Sequence, residues 1–299
     1  MTETLEISRK ARHIWDVVEP VAACVYFAPE AHAAYEELGY EGSRLTNNGI
    51  AFPDRVAYFI SRGACMGKVP GEVVAAAFGV FKREAVVALV EEGWGICPDP
   101  EPVLAARERG AAACLSRVLG ESPDGLGRAT DLLGRAAEAA PGEGRHLFSG
   151  LQSLGLPGTP VADLWRAADL VREHRGDSHI AAWTAHGFDA CEIGVITDVW
   201  RGQPLKSWVR SRAWTDEELD AAVERLRSSG LLAGESITEQ GWQAREDVDT
   251  TTDTMEARLV DALGDDIDEL FSIMEPIAAR VVDQRAYPSA VSWGRPPSG

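Results

Sequence analysis

The sequence predicts a mainly α protein made of two winged-helix-like halves with short β wings. Three observations carry this expectation. Apolar residues recur at three- and four-residue spacing between Ile7 and Arg285, convincing strands are few, and a helix, tight turn, helix, hairpin, helix order stands at about 187–248. The glycines and prolines of Gly155–Pro160 predict a linker, dividing the chain into 1–155 and 156–299 with a terminal helix closing the second part.

Thr4–Phe27 reads as a helix kinked at Pro20, because proline lacks the amide and clashes with the preceding turn. Pro29 opens a short helix to Leu38, Asn47–Asn48–Gly49 is a turn, and Pro53–Arg62 resumes helix. Pro70–Phe81 and Arg83–Glu92 follow as helices, then a loop over the prolines of Cys97–Pro102. Pro102–Leu119 and Leu126–Ala139 are amphipathic helices. Past the linker, Thr159 and Pro160 start a helix that ends near His174. Gly176 breaks it, Asp177 caps a second helix over Ser178–His186, and Phe188–Trp200 forms one more.

Leu205–Arg212, a turn at Ala213–Thr215 and Asp216–Ser229 give the helix-turn-helix, with Thr215 and Glu218 spaced as a capping box. Leu231–Leu232 and Ser236–Thr238 flank a tight turn and lead into a helix over Gly241–Val248. A weak internal repeat aligns Arg62–Gly63, Val69–Val74 and Gly93–Trp94 with Arg201–Gly202, Trp214–Leu219 and Gly230–Leu231. A duplicated unit would leave a cavity between its copies.

Charge argues against a DNA reader. The chain carries −18 overall, and Pro204–Val248 holds six basic against nine acidic residues, a net of −3. The second helix of the motif opens with Asp216, Glu217, Glu218 and Asp220, where phosphates and base edges would lie. The five scattered cysteines contain no CxxC pair, and no apolar run approaches a membrane span. A cytoplasmic protein with no membrane partner is therefore expected. GxGxxG, Walker, HExxH and GxSxG motifs are absent, which disfavours a nicotinamide cofactor, a P-loop nucleotide and esterase chemistry.

The densest chemistry is Arg172–Glu173–His174–Arg175–Gly176–Asp177–Ser178–His179. A sharp corner at Gly176 would let His174 and His179 face one space as a divalent-metal or general acid/base pair. Asp177 would orient one imidazole, and Arg175 would pair with an anionic group on a substrate, with Glu173 beside it. His174, Asp177 and His179 are the candidate catalytic residues, and the two histidines the candidate metal ligands. The competing reading is a helix end and an N-cap with no chemistry. Glu19 and Tyr26, two turns apart on the first helix, could line a substrate pocket or simply anchor a core.

Ala11–Arg12, Glu19–Pro20, Tyr26–Phe27–Ala28–Pro29–Glu30, Arg62–Gly63, Arg172–Ala182 and Gly230–Leu231–Leu232 together resemble a family of actinobacterial helix-turn-helix proteins. The resemblance spans about residues 8 to 285 and departs from the family pattern at Ser43–Pro53. It implies two winged-helix-like modules and small-molecule binding or chemistry, often beside natural-product genes, and it adds Arg62 to the substrate-binding candidates. The leading expectation is an enzyme of bacterial specialised metabolism acting on a small organic ligand between the two halves. A ligand-responsive transcription regulator and a metabolite-sequestering resistance protein are the alternatives, and a homodimer is compatible with each.

Overall fold

The computed structural model describes residues 3–43, 45–47, 50–120 and 123–288. The chain is mainly helical, with two short antiparallel hairpins. Helix α1 (Glu3–Ala23) contains Pro20 without ending there and continues into a 3-10 turn at Cys24–Tyr26. Pro29 opens α2 (Pro29–Glu36). Strands β1 (Leu45–Asn47) and β2 (Ile50–Phe52) pair next, while the predicted turn residues Asn48 and Gly49 lie outside the described residues. Asp54 caps α3 (Arg55–Gly63) through the Ala57 amide. Two further helices, α4 (Gly71–Phe78) and α5 (Arg83–Ile96), are separated at Gly79.

The loop expected over Cys97–Pro102 is shorter than the sequence suggested. Helix α6 (Pro100–Leu119) already includes Pro100 and Pro102 in its first turn, where amides have no intrahelical acceptor and proline costs nothing. Helix α7 (Leu126–Ala139) follows, and then α8 (His146–Gln152), which local sequence did not announce. Helix α9 (Pro160–Ala185) runs unbroken through Gly176. The predicted break there is wrong: a lone glycine costs a helix about 1 kcal/mol, and a helix packed against α1, α6, α7, α8 and the later α12 overrides that.

The winged helix consists of α10 (Ala190–Trp200), a 3-10 turn at Val209–Arg212, α11 (Asp216–Ser228), the hairpin β3 (Leu232–Ala233) and β4 (Ser236–Ile237), and α12 (Glu239–Met255). Capping boxes at Asp189/Glu192 and Thr215/Glu218 start α10 and α11. Helices α13 (Ala257–Leu263) and α14 (Ile267–Asp283) end the fold. In the first half, α4 starts at Gly71 as α11 starts at Asp216, in the register of the proposed repeat. The hairpin of that half, however, precedes α3, α4 and α5, where the winged-helix hairpin follows α11.

Two apolar clusters form the interior. The larger draws on residues from Ala11 to Val171 and again from Leu259 to Tyr287, so helices on both sides of the expected 155/156 boundary share it. The smaller holds Ala182 to Val248 and is the core of the winged helix. The turn at Val80–Lys82 ties the two together: the Trp214 indole donates to the Val80 carbonyl at 3.1 Å, and the Lys82 amide donates to that of Arg212 at 3.0 Å. Among the described residues no helix is long and apolar enough to cross a membrane.

Candidate functional site

Because α9 is continuous, the predicted cluster is a helix face and not a corner. Residues five apart on an α-helix point about 140° away from each other, so His174 and His179 do not share a space. His174 is fully buried, with Nδ1 2.9 Å from Glu256 Oε2 and its ring edge-on to Phe148 at 4.9 Å. Glu256, not Asp177, orients it, and its Nε2 is buried with no partner. Asp177 instead accepts the amides of Leu147 and Phe148 at 3.0 and 3.1 Å. The expected N-cap role is not formed, because Asp177 lies inside α9; it satisfies two first-turn amides of α8, whose N-cap position is Arg145. Burial pushes its carboxyl up to about 7 against the pull of those two amides.

His179 lines a cavity. Thr252 donates its hydroxyl proton to Val248 O, so it can only accept from His179 Nδ1 at 3.1 Å, leaving Nε2 as the unprotonated nitrogen. Burial, then the positive charge of Arg245 and of Arg175 and Arg201, holds the imidazole down at about 3 despite Asp249. The metal-ligand pairing of His174 with His179 is not formed. Among the described residues no group of three or more His, Cys, Asp or Glu is placed to hold a metal ion.

Other predicted residues do come together. Arg62 grips Glu173 through two parallel bonds of 2.8 and 2.7 Å, and Arg172 donates to the same carboxylate at 2.6 Å. Arg172 also binds Glu19 at 2.7 Å, and the Tyr287 hydroxyl stands 3.4 Å from Glu19. Burial alone would raise the Glu173 carboxyl, but Arg62 and Arg172 outweigh it and hold it at about 2. Glu19, more weakly paired, is raised by its burial. Tyr26 lies under the guanidinium groups of Arg107 and Arg172 and accepts from Arg107 at 3.1 Å, so it is core and not pocket wall. Arg107 and its partner Asp169, at 2.8 Å, complete a buried ionic layer that the sequence reading missed.

A cavity of about 290 Å³ opens where the winged helix meets the helical body. Helix α1 contributes Trp15, Asp16 and Glu19, and α9 contributes Arg175, Gly176 and His179. From the winged helix come Trp200 and Arg201 at the end of α10, with Arg245 and Asp249 on α12. Arg245 is bound to Asp249 at 2.7 Å and lies over the Trp200 ring at 4.5 Å. Arg175 is paired with Asp253 at 2.8 Å. The Arg201 side chain has no hydrogen-bond or ion-pair partner among the described residues, and burial followed by Arg245 lowers its pKa. Three buried donors on these residues lack acceptors: Arg175 Nη1, Trp200 Nε1 and Arg201 Nε. The i, i+4 spacing of Arg245 and Asp249 and the adjacent Trp200–Arg201 were the sequence signals for this wall, hidden inside a module read as packing architecture.

The outer face of the winged helix is different. Asp216, Glu217, Asp220 and Glu224 are exposed on α11. The nearby cations are already engaged: Lys206 with Asp220, Arg210 with Asp216, Lys82 with Glu218 at 2.7 Å and Arg225 with Glu192 at 2.6 Å. Searches of curated proteins and of solved structures find no match to this chain. A family model described as a helix-turn-helix family matches residues 11–288, a span that takes in both apolar clusters and the cavity between them. The chain therefore belongs to this helix-turn-helix family.

Proposed function

We propose that the protein binds a small organic anion in the cavity between winged helix and helical body, with the winged helix acting as a wall of that cavity. The observation that carries this reading is Arg201, which lines the cavity beside Trp200 and His179 and whose side chain has no hydrogen-bond or ion-pair partner among the described residues. An anion oxygen gives such a guanidinium a charge-assisted hydrogen bond. Arg201 supplies the cation, and the unprotonated Nε2 of His179 accepts from a ligand hydroxyl or amine.

A second reading, turnover of the bound molecule, is favoured by one observation: His179 alone of the three expected catalytic residues lines the cavity. An imidazole held near 3 is too weak a base at neutral pH, but an anion set among Arg175, Arg201 and Arg245 would raise it toward useful values.

Titration of small carboxylates and phosphates, followed calorimetrically and by tryptophan fluorescence, tests the binding reading. Saturable binding is expected, and Arg201→Gln should weaken it by about ten- to a hundredfold, the value of a hydrogen bond to a charged group. Folded protein that binds none of them sinks the proposal. Mass spectrometry of the mixture after incubation separates turnover from binding alone.

A further inference from the structure

We infer that the molecule held here is a zwitterionic α-amino acid with an apolar side chain, its carboxylate on Arg201 and its ammonium donating to Nε2 of His179. The inference rests on the anion-binding reading above and gives that anion a second, positive group.

Charge sets the class. The lining holds three cations, Arg175, Arg201 and Arg245, and three carboxylates, Asp16, Glu19 and Asp249. The partners behind it keep the count even, because Arg172, bound to Glu19, offsets Asp253, bound to Arg175. With His179 neutral, the lining carries no net charge. A guest of charge −1 leaves an uncompensated charge in such a space, whereas a zwitterion adds none. Arg201 still has no ion-pair partner of its own among the described residues, so the neutral guest must present an anionic group to it.

Geometry sets the spacing of the two charges. Asp249 Oδ1 is 2.7 Å from Arg245 and 4.0 Å from His179 Nδ1, and the ring of Trp200, next to Arg201 in the chain, lies 4.5 Å from the Arg245 guanidinium. Both signs and a neutral acceptor thus share one patch, as a carboxylate and an ammonium on a single carbon require. Nδ1 of His179 is committed to Thr252, so the ring offers only the Nε2 lone pair, which accepts from an ammonium and repels a carboxylate. Burial, followed by Arg245, keeps that imidazole unprotonated at neutral pH. The rest of the lining includes Trp15, Pro20, Trp200, Val282 and Tyr287, surfaces for a hydrocarbon side chain. A volume of about 290 Å³ lies at the bottom of the range for ligand pockets and suits one amino acid, not a peptide.

The probes are L-phenylalanine and three molecules with the same ring and chain: phenylpropionate without the ammonium, phenyllactate with a hydroxyl in its place, and phenethylamine without the carboxylate. Calorimetric titration of wild type is expected to find L-phenylalanine at least about tenfold tighter than each of the others, the value of one hydrogen bond to a charged group. Asp249→Asn keeps an acceptor for Arg245 and removes one negative charge, so the advantage of L-phenylalanine over phenylpropionate should shrink at least about threefold. Asp16→Asn, at an exposed position, makes the same charge change and should move the preference the same way if the first variant does not fold. An unchanged preference in a folded charge variant overturns the charge-balance argument. Phenylpropionate or phenyllactate binding as tightly as L-phenylalanine overturns the zwitterion and leaves anion binding standing. Phenethylamine binding as tightly overturns both. If none of the four binds but another small carboxylate or phosphate does, this inference alone falls; if none of those binds either, the anion-binding reading falls with it.

Discussion

Asp177 shows how one side chain links local chemistry to stability. It is 5% exposed and accepts two first-turn amides of α8 from another helix, and burial places its carboxyl at about 7, above the usual 3.8. Because the folded value is raised, the folded state binds the proton more tightly than the unfolded chain. The associated stability is complete below about pH 4 and is lost as pH rises through 7, by on the order of 4 kcal/mol as an upper bound. Asp198, raised to about 6 by burial, works in the same direction. Glu173 and His179 work in the opposite one. Glu173, held at about 2, contributes above 4.5 and loses this as pH falls through 2. His179, held at about 3, costs stability as pH falls through 6.5, an effect that Asp177 and Asp198 together outweigh between about pH 7.5 and 5. Urea unfolding at about pH 5 and pH 7.5 should therefore find wild type more stable at the lower value. Asp177→Asn retains a carbonyl acceptor for the α8 amides and has no proton to lose, so the difference should shrink. A variant with the full wild-type pH slope would show that Asp177 does not titrate in this window.

At the scale of the element, local signals and remote ones part company. The Thr215–Glu218 box starts α11 through bonds confined to four residues, with the Thr215 amide donating to Glu218 at 2.8 Å, and sequence spacing was enough to place it. Thr215→Ala is expected to cost about 1 kcal/mol. The loss should fall on the smaller cluster, so amide exchange should quicken across α11 and the β3–β4 hairpin while α7 and α13 stay protected. Uniform loss of protection would mean that the two clusters unfold as one. The same locality explains what sequence could not reveal. Helix α8 takes the acceptor for its first-turn amides from Asp177, about 30 residues away, so nothing near His146 marks its start. Gly176 looked like a stop because the packing that holds α9 straight comes from five other helices. Glu19, Arg62 and Glu173, expected as substrate-binding residues, are joined through Arg172 in one buried ion-pair network. Arg172 reaches Glu19 through the packing of α1 on α9, and the arginines Arg201 and Arg245 reach the cavity only through the docking of the winged helix, neither of which composition and periodicity encode.

For the whole molecule, the distribution of charge bears on two uses of one fold. Duplex binding requires unpaired Lys and Arg on the helix that enters the groove, because phosphate neutralisation and counterion release supply most of the affinity. Here the acidic residues lead α11, and its neighbouring cations are already spent on them. Of the arginines of this module without an ion-pair partner among the described residues, Arg201 lies on the cavity wall and Arg212 over the Phe81 and Trp208 rings. The net charge of −18 then opposes approach to DNA at every orientation. Gel retardation at about 50 mM salt, where such contacts are strongest, should give no complex with random or palindromic duplexes at protein concentrations up to about 10 μM. Adding the anion that saturates the cavity should leave that result unchanged, since the bound molecule cancels a buried charge and leaves the face of α11 as it was. A complex that forms only with the anion, and weakens steeply with salt, would instead make the cavity a sensor and the winged helix its output.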